Sequence, residues 1–167
     1  MTIEEGTYTP KAKRSLFFAR YEATRSGNVE VEPEHLMLGL IRADADLVRR
    51  LSGLSSDPVS LIRAAVKVGT AFQVKFSVGD IPPLSRSAQQ ALDSAFIQSQ
   101  NLNHDYIGTE HILLGLLSQS SIVSQVLREL GFTVENIIPK IAGGSITDQH
   151  QQETSQALLQ GWILTKD

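Results

Sequence analysis

The feature that most constrains this chain is that it is written twice. The run Tyr106-Ile107-Gly108-Thr109-Glu110-His111-Ile112-Leu113-Leu114-Gly115-Leu116-Leu117 has an upstream partner, Val29-Glu30-Val31-Glu32-Pro33-Glu34-His35-Leu36-Met37-Leu38-Gly39-Leu40-Ile41. Placing Glu34 on Glu110 gives an offset of 76 residues, and the register holds without a gap well to either side. His35 then falls on His111, Leu38 on Leu114, Gly39 on Gly115 and Leu40 on Leu116. Upstream, Thr9 meets Ser85, Ala12 meets Ala88, Leu16 meets Leu92 and Ala19 meets Ala95; downstream, Leu51 meets Leu127, Leu54 meets Leu130 and Ile62 meets Ile138. A tandem duplication of this kind implies two copies of one folding unit.

Helical punctuation fills in each copy. Residues 1–8 read as a loose lead-in, after which Thr9-Pro10 supplies a hydroxyl N-cap and a proline at the first helical position, where its missing donor costs nothing. Leu16, Ala19, Tyr21 and Ala23 recur at roughly helical spacing, and Gly27-Asn28 ends the helix. A second helix begins near Pro33 and is apolar almost all round, so it is expected at the buried centre of its repeat. Two more are predicted about Asp44 to Leu51 and Asp57 to Val68. The second copy restates the four at about 85–101, 109–118, 120–130 and 133–142, with Leu114 and Leu116 as core residues. The expectation is an all-α domain of eight helices over residues 8–143, with repeat 1 about 9–68 and repeat 2 about 85–142. Between them, residues 69–84 read as an extended linker in which Phe72, Val74, Phe76 and Val78 alternate with polar residues. Residues 144–167 read as a polar tail with one apolar cluster from Leu158 to Leu164.

Composition narrows the chemistry. A net charge of -3 gives no electrostatic case for nucleic acid. The absence of cysteine removes disulfides, thiolate zinc sites and cysteine nucleophiles together. No apolar run approaches the ~18 residues of a membrane span, and the acidic start Met1-Thr2-Ile3-Glu4-Glu5-Gly6 lacks the pattern of a signal peptide. These features predict a cytoplasmic protein without nucleic-acid or membrane partners. No phosphate loop or nucleophile elbow is present, and no catalytic residue or cofactor is predicted. His35 and His111 each follow a glutamate, but adjacent helical residues point about 100° apart, and the i, i+4 spacing of a helical zinc pair is missing. A buried, hydrogen-bonded, metal-free role is expected for both. A metal-dependent enzyme built on these two histidines is the remote alternative.

The more informative corner is Thr109-Glu110. Thr109 is expected as the N-cap, placing Glu110 in the first turn, where the helix dipole stabilises its charge by ~0.3–1 kcal/mol. The same corner combines free backbone N–H groups, which bind anions, with a carboxylate, which binds cations. That pairing suits a ligand with guanidinium and phosphate in one group. The first corner offers Glu32 and Glu34 but has Pro33 in place of the hydroxyl, so the second corner is expected to be the better ligand site.

These runs resemble the Clp N-terminal domain, the double repeat at the front of Clp/Hsp100 unfoldases of the AAA+ class. Tyr8-Thr9-Pro10-Lys11-Ala12-Lys13 is similar to the family's opening Thr-x-x-Ala segment, and Val126-Leu127-Arg128-Glu129-Leu130-Gly131 to its third helix and turn. The resemblance covers residues 8 to about 142. It implies a pseudo-two-fold domain of eight helices that docks protein substrates or adaptor proteins for an unfoldase and its peptidase. In the ClpC branch, a glutamate at the corner of each repeat contributes to phosphoarginine binding; those positions correspond to Glu34 and Glu110, beside Thr109. Pro33 and Glu32 depart from the family's usual threonine and glycine. The alternative the resemblance implies is a free-standing accessory subunit that contacts the Clp ATPase or peptidase core.

Overall fold

The computed structural model describes residues 7–66 and 81–142. They form seven helices: α1 (Pro10–Arg25), α2 (Pro33–Leu51), α3 (Pro58–Ala65), α4 (Arg86–Asn101), α5 (Thr109–Ser118), α6 (Ile122–Glu129) and α7 (Val134–Ala142). The expected count of eight is corrected to seven, because the second and third helices of repeat 1 run together as α2. The join is a kink at one residue, Asp44, whose φ of -149° and ψ of 63° are not helical. Its carboxylate accepts a hydrogen bond from the Leu47 amide at 3.3 Å, which caps the second half of α2. In repeat 2 the same break is wider, and Ser121 caps α6 through the Ser124 amide. The linker residues 69–80 and the tail 144–167 lie outside the described residues.

The chain divides into two compact units at Val134, and each is taken by itself. In the first, α1 packs on α2 and α4 on α5, with α2 and α5 against each other. Repeat equivalence is exact in register for the outer helices: α1 and α4 begin and end 76 residues apart, and Thr9 and Ser85 cap them through the Ala12 and Ala88 amides at 3.1 Å each. Both helices present alanines to their partner, Ala12, Ala19 and Ala23 in one and Ala88, Ala91 and Ala95 in the other, all buried. Opposite them sit Gly39 and Gly115. A Cβ on Gly39 would meet the Ser15 carbonyl and lie 2.6 Å from the Ala19 nitrogen; one on Gly115 would meet the Ala91 carbonyl and lie 2.8 Å from the Ala95 nitrogen. The helix pairs cross backbone to backbone, and only glycine permits it.

As the apolar pattern predicts, α5 is the buried centre: every residue from Thr109 to Leu117 is buried, Leu114 and Leu116 completely. Each such leucine contributes about 1.5–3 kcal/mol by leaving water. In the second unit, α7 buries Ile137 and Ile141, one helical turn apart, and carries Pro139 inside the helix.

The lead-in is not loose where it meets α1. Tyr8 forms a parallel bridge with Ile107, and Leu84 forms one with Val31. Thr9 N–H donates to the Ile107 carbonyl at 3.0 Å, and Ile107 N–H to the Thr7 carbonyl at 2.7 Å. The mirror set is Ser85 N–H to the Val31 carbonyl at 2.9 Å, and Val31 N–H to the Pro83 carbonyl at 2.8 Å. Tyr8 and Leu84 are equivalent, as are Val31 and Ile107. Each repeat therefore lends its lead-in to the other, and the two copies are tied reciprocally across the pseudo-two-fold axis.

Candidate functional site

Both corners are built by the same histidine device. The Glu32 backbone N–H donates to His35 Nδ1 at 2.9 Å, and the Gly108 N–H donates to His111 Nδ1 at 2.9 Å. Each ring thus satisfies a donor just ahead of its helix, reaching back from the third helical position. Since a backbone N–H cannot accept, Nδ1 holds the lone pair and the proton of the neutral ring resides on Nε2. In repeat 1 that Nε2–H faces Ser26 Oγ at 3.3 Å, and Ser26 donates onward to the Glu22 carbonyl at 2.6 Å. In repeat 2 it donates to His104 Nδ1 at 2.8 Å. Both imidazoles are fully buried. Burial pushes the pKa of His35 below the usual 6.5, with the Glu22 carboxylate opposing the shift.

Thr109 is not the N-cap. Gly108 holds that position with φ -98° and ψ 178°, and Thr109 is the first helical residue. The correction follows from where its hydroxyl goes: Thr109 Oγ1 donates to Asp44 Oδ2 at 2.8 Å, a buried bond across the two repeats. The Asp44 kink and the second corner are therefore one polar connection. Pro33 occupies the equivalent place in repeat 1 and has no hydroxyl to offer.

The three predicted site residues are not equally accessible. Glu110 is 1% exposed, and its two carboxylate oxygens lie 2.5 Å from where a Cβ on Gly108 would stand, so the space left by Gly108 is filled by Glu110 itself. Thr109 is fully buried, whereas Glu34 is only half-buried. The order of accessibility is thus the reverse of the order expected for ligand binding. Glu110 Oε1 lies 3.5 Å from His111 Nδ1. With that nitrogen already accepting from Gly108, the neutral ring makes this a close approach rather than a salt bridge.

One participant was missed in the sequence. His104, from the turn between α4 and α5, stacks on Tyr106 with ring centroids 5.1 Å apart and an interplanar angle of 8°. It belongs to no periodic pattern, and the offset places Asn28 opposite it. Burial, with Glu110 and Asp105 adding to it, pushes the Tyr106 phenol up to about 12. His104, Glu110 and His111 each bring one ligating atom within 4.8 Å of the others, a donor set of the kind that takes a zinc-class ion. The hydrogen bonding does not fit one. Ligation through His111 Nε2 requires its proton to move to Nδ1, where it would meet the Gly108 N–H head-on. His35, in the other repeat, has its Nδ1 engaged in the same way.

The model of the Clp repeat (R) N-terminal domain family matches residues 7–130 and, again, 83–160. The chain belongs to the Clp N-terminal domain family. The chaperone protein ClpB of Oceanobacillus iheyensis is 30% identical over 132 residues, covering 77% of this chain and 16% of that protein. The negative regulator of genetic competence ClpC/MecB of Bacillus subtilis is 29% identical over 133 residues, again 77% of this chain and 16% of the relative. An uncharacterised protein of Mycobacterium tuberculosis is 33% identical over 113 residues, 66% of this chain but 42% of the relative. Among solved structures, the N-terminal domain of ClpD from Arabidopsis thaliana superposes with a TM-score of 0.61 at 25% identity, covering 87% of this chain and 98% of that domain. The Hsp104 N-terminal domain from Candida albicans gives 0.59 at 24% identity over 78% and 85%, a likeness of fold. The tandem repeat is thus the double Clp-N repeat, and the chain spans only the portion of the Clp ATPases that this domain occupies.

Proposed function

We propose that the protein is a protein-interaction module of a Clp chaperone–protease system, binding substrates or adaptor proteins for delivery to an AAA+ unfoldase rather than catalysing a reaction. The observation that carries this reading is the family match over both repeats, joined to a fold in which the two copies are bound reciprocally into one platform. Affinity capture from native lysate with the full chain as bait tests it. Enrichment of a Clp ATPase, its peptidase or an adaptor is the expected result, and their absence alongside stable recovery of the bait contradicts it.

The finer proposal is phosphoarginine recognition at the corners. Glu34 is the carboxylate open to a guanidinium, while Glu110 must first leave the Gly108 recess. In calorimetric titration of a phosphoarginine peptide, Glu34→Ala weakens binding more than Glu110→Ala. The loss is about ten- to a hundred-fold, for a charge-assisted contact of ~1.5–3 kcal/mol. Larger loss at Glu110 would show that the recess opens for the ligand. Absence of binding in the wild type leaves adaptor docking as the reading.

A second reading, a free-standing accessory subunit acting on the Clp ATPase or peptidase core, draws on the mycobacterial relative. There the matched region is 42% of the protein, against 16% in ClpB, so that relative is far too short to be a Clp ATPase.

A further inference from the structure

The pseudo-symmetry is broken most strongly on the outside of the first helix of each repeat. α1 carries Lys11, Lys13, Arg14, Arg20 and Arg25 against one carboxylate, Glu22. These are five of the chain's 15 lysines and arginines, in a chain of net charge -3. The equivalent helix α4 carries only Arg86 and Asp93. Position by position, Gln89 stands where Lys13 does, Gln90 for Arg14, Asp93 for Phe17 and Ile97 for Tyr21.

The cations flank an apolar stripe. Phe17 is 66% exposed and Tyr21 47%, four residues apart and so on one face. At 100° per residue, Lys13 and Arg20 lie to one side of that stripe and Arg14 and Arg25 to the other; all four are exposed. The stripe is also held in place. The Arg42 guanidinium sits 4.9 Å from the ring centroids of both Phe18 and Tyr21, and its Nη1 donates to Glu22 Oε1 at 3.0 Å. Glu22, 7% exposed, therefore fixes Arg42, and Arg42 fixes the Tyr21 ring. Arg25 also pairs with Glu22 at 3.5 Å, whereas among the described residues no ion pair offsets the charge of Lys13, Arg14 or Arg20.

We propose that the outer face of α1 is a docking surface for an acidic polypeptide segment bearing an aromatic or aliphatic anchor. This inference rests on the interaction-module reading above and adds the surface and the partner's chemistry. Charge complementarity selects the partner: a basic helical face in an acidic protein steers an acidic segment locally, while the ordered aromatic pair supplies the desolvated contact that an anchor needs. A nucleic acid fits less well, because one helical face offers a short positive strip and the rest of the chain repels a long polyanion.

The test is fluorescence anisotropy with the full chain and three probes: an Asp/Glu-rich peptide containing two phenylalanines, the same peptide with lysine for every acid, and a single-stranded oligonucleotide. The acidic peptide is expected to bind, more weakly as salt rises. The double substitution Arg14→Glu with Arg20→Glu should weaken it by about tenfold, the size expected for exposed charge contacts. Phe17→Ser with Tyr21→Ser should weaken it without changing the salt dependence. Two acids added on α4 instead, by Gln89→Glu and Gln90→Glu at the counterparts of Lys13 and Arg14, should leave it unchanged. All six substituted side chains are exposed, so each variant is expected to keep its fold, which circular dichroism checks. Failure of the wild type to bind the acidic peptide, equal binding by the α1 and α4 variants, or preference for the lysine peptide or the oligonucleotide overturns the proposal. An unfolded, carboxymethylated α-lactalbumin client is titrated in parallel. If that client binds while the α1 substitutions change nothing, this surface is refuted and the interaction-module reading stands. If the client does not bind the wild type either, the substrate-binding part of that reading falls as well and adaptor docking is what remains of it.

Discussion

Gly108, Thr109, Glu110 and His111 show how much four adjacent residues can be asked to do. The glycine leaves a recess, the glutamate fills it, the histidine caps the chain ahead of the helix, and the threonine reaches into the other repeat. Only the helix start is legible in the residue types themselves; the Asp44 partner of Thr109 and the His104 partner of His111 are not, because Asp44 lies 65 positions away and His104 sits in the turn ahead of α5, outside any helical pattern. Removing a capping ring leaves a buried donor unsatisfied, so His111→Ala should cost at least ~1–3 kcal/mol, read from urea denaturation. An unchanged midpoint would mean that the Gly108 amide finds another acceptor. His35 makes stability depend on pH. Its folded pKa lies below 6.5, so between that lowered value and 6.5 the unfolded chain binds a proton that the folded chain does not. Its contribution is fully present above about pH 6.5 and is lost as the pH falls towards the folded value. Denaturation midpoints taken from pH 8 to pH 5 should decline in wild type, and less so in His35→Gln. An identical decline in both would assign the effect to other groups.

At the scale of helices, the helix positions were readable because they rest on local signals: caps at Thr9 and Ser85, prolines at the start of α1, α2 and α3, and apolar periodicity repeated at one offset. The merging of two expected helices into α2 was not, since a single kinked residue leaves no turn composition to see. The glycines at the helix crossings were visible as a repeated pair, Gly39 and Gly115, but their reason is tertiary. Gly115→Ala should destabilise the domain by ~1–3 kcal/mol or more through overpacking against the α4 backbone. Gly53→Ala, with nothing within 4 Å of the new Cβ, is the control. Equal midpoints for the two variants would contradict the close α4–α5 approach.

For the whole molecule, duplication implies two similar units but not how they are joined. The exchange of lead-ins is a pairing between residues almost 100 positions apart for Tyr8 and Ile107; such pairings carry no local signature, and a single bridge is too short to alternate. It makes a distant prediction. Deleting residues 1–8 removes the Thr7 acceptor, so the Ile107 amide, which lies in the other repeat, should lose its protection in hydrogen exchange. Retained protection would mean that the bridge is dispensable. The central claim is that this joined platform binds polypeptides, and the most direct measurement is the anisotropy of labelled, carboxymethylated α-lactalbumin titrated with the full chain. The account predicts saturable binding that unlabelled unfolded protein displaces and native α-lactalbumin does not. A flat titration up to high chain concentration, with the fold verified by circular dichroism, would contradict it.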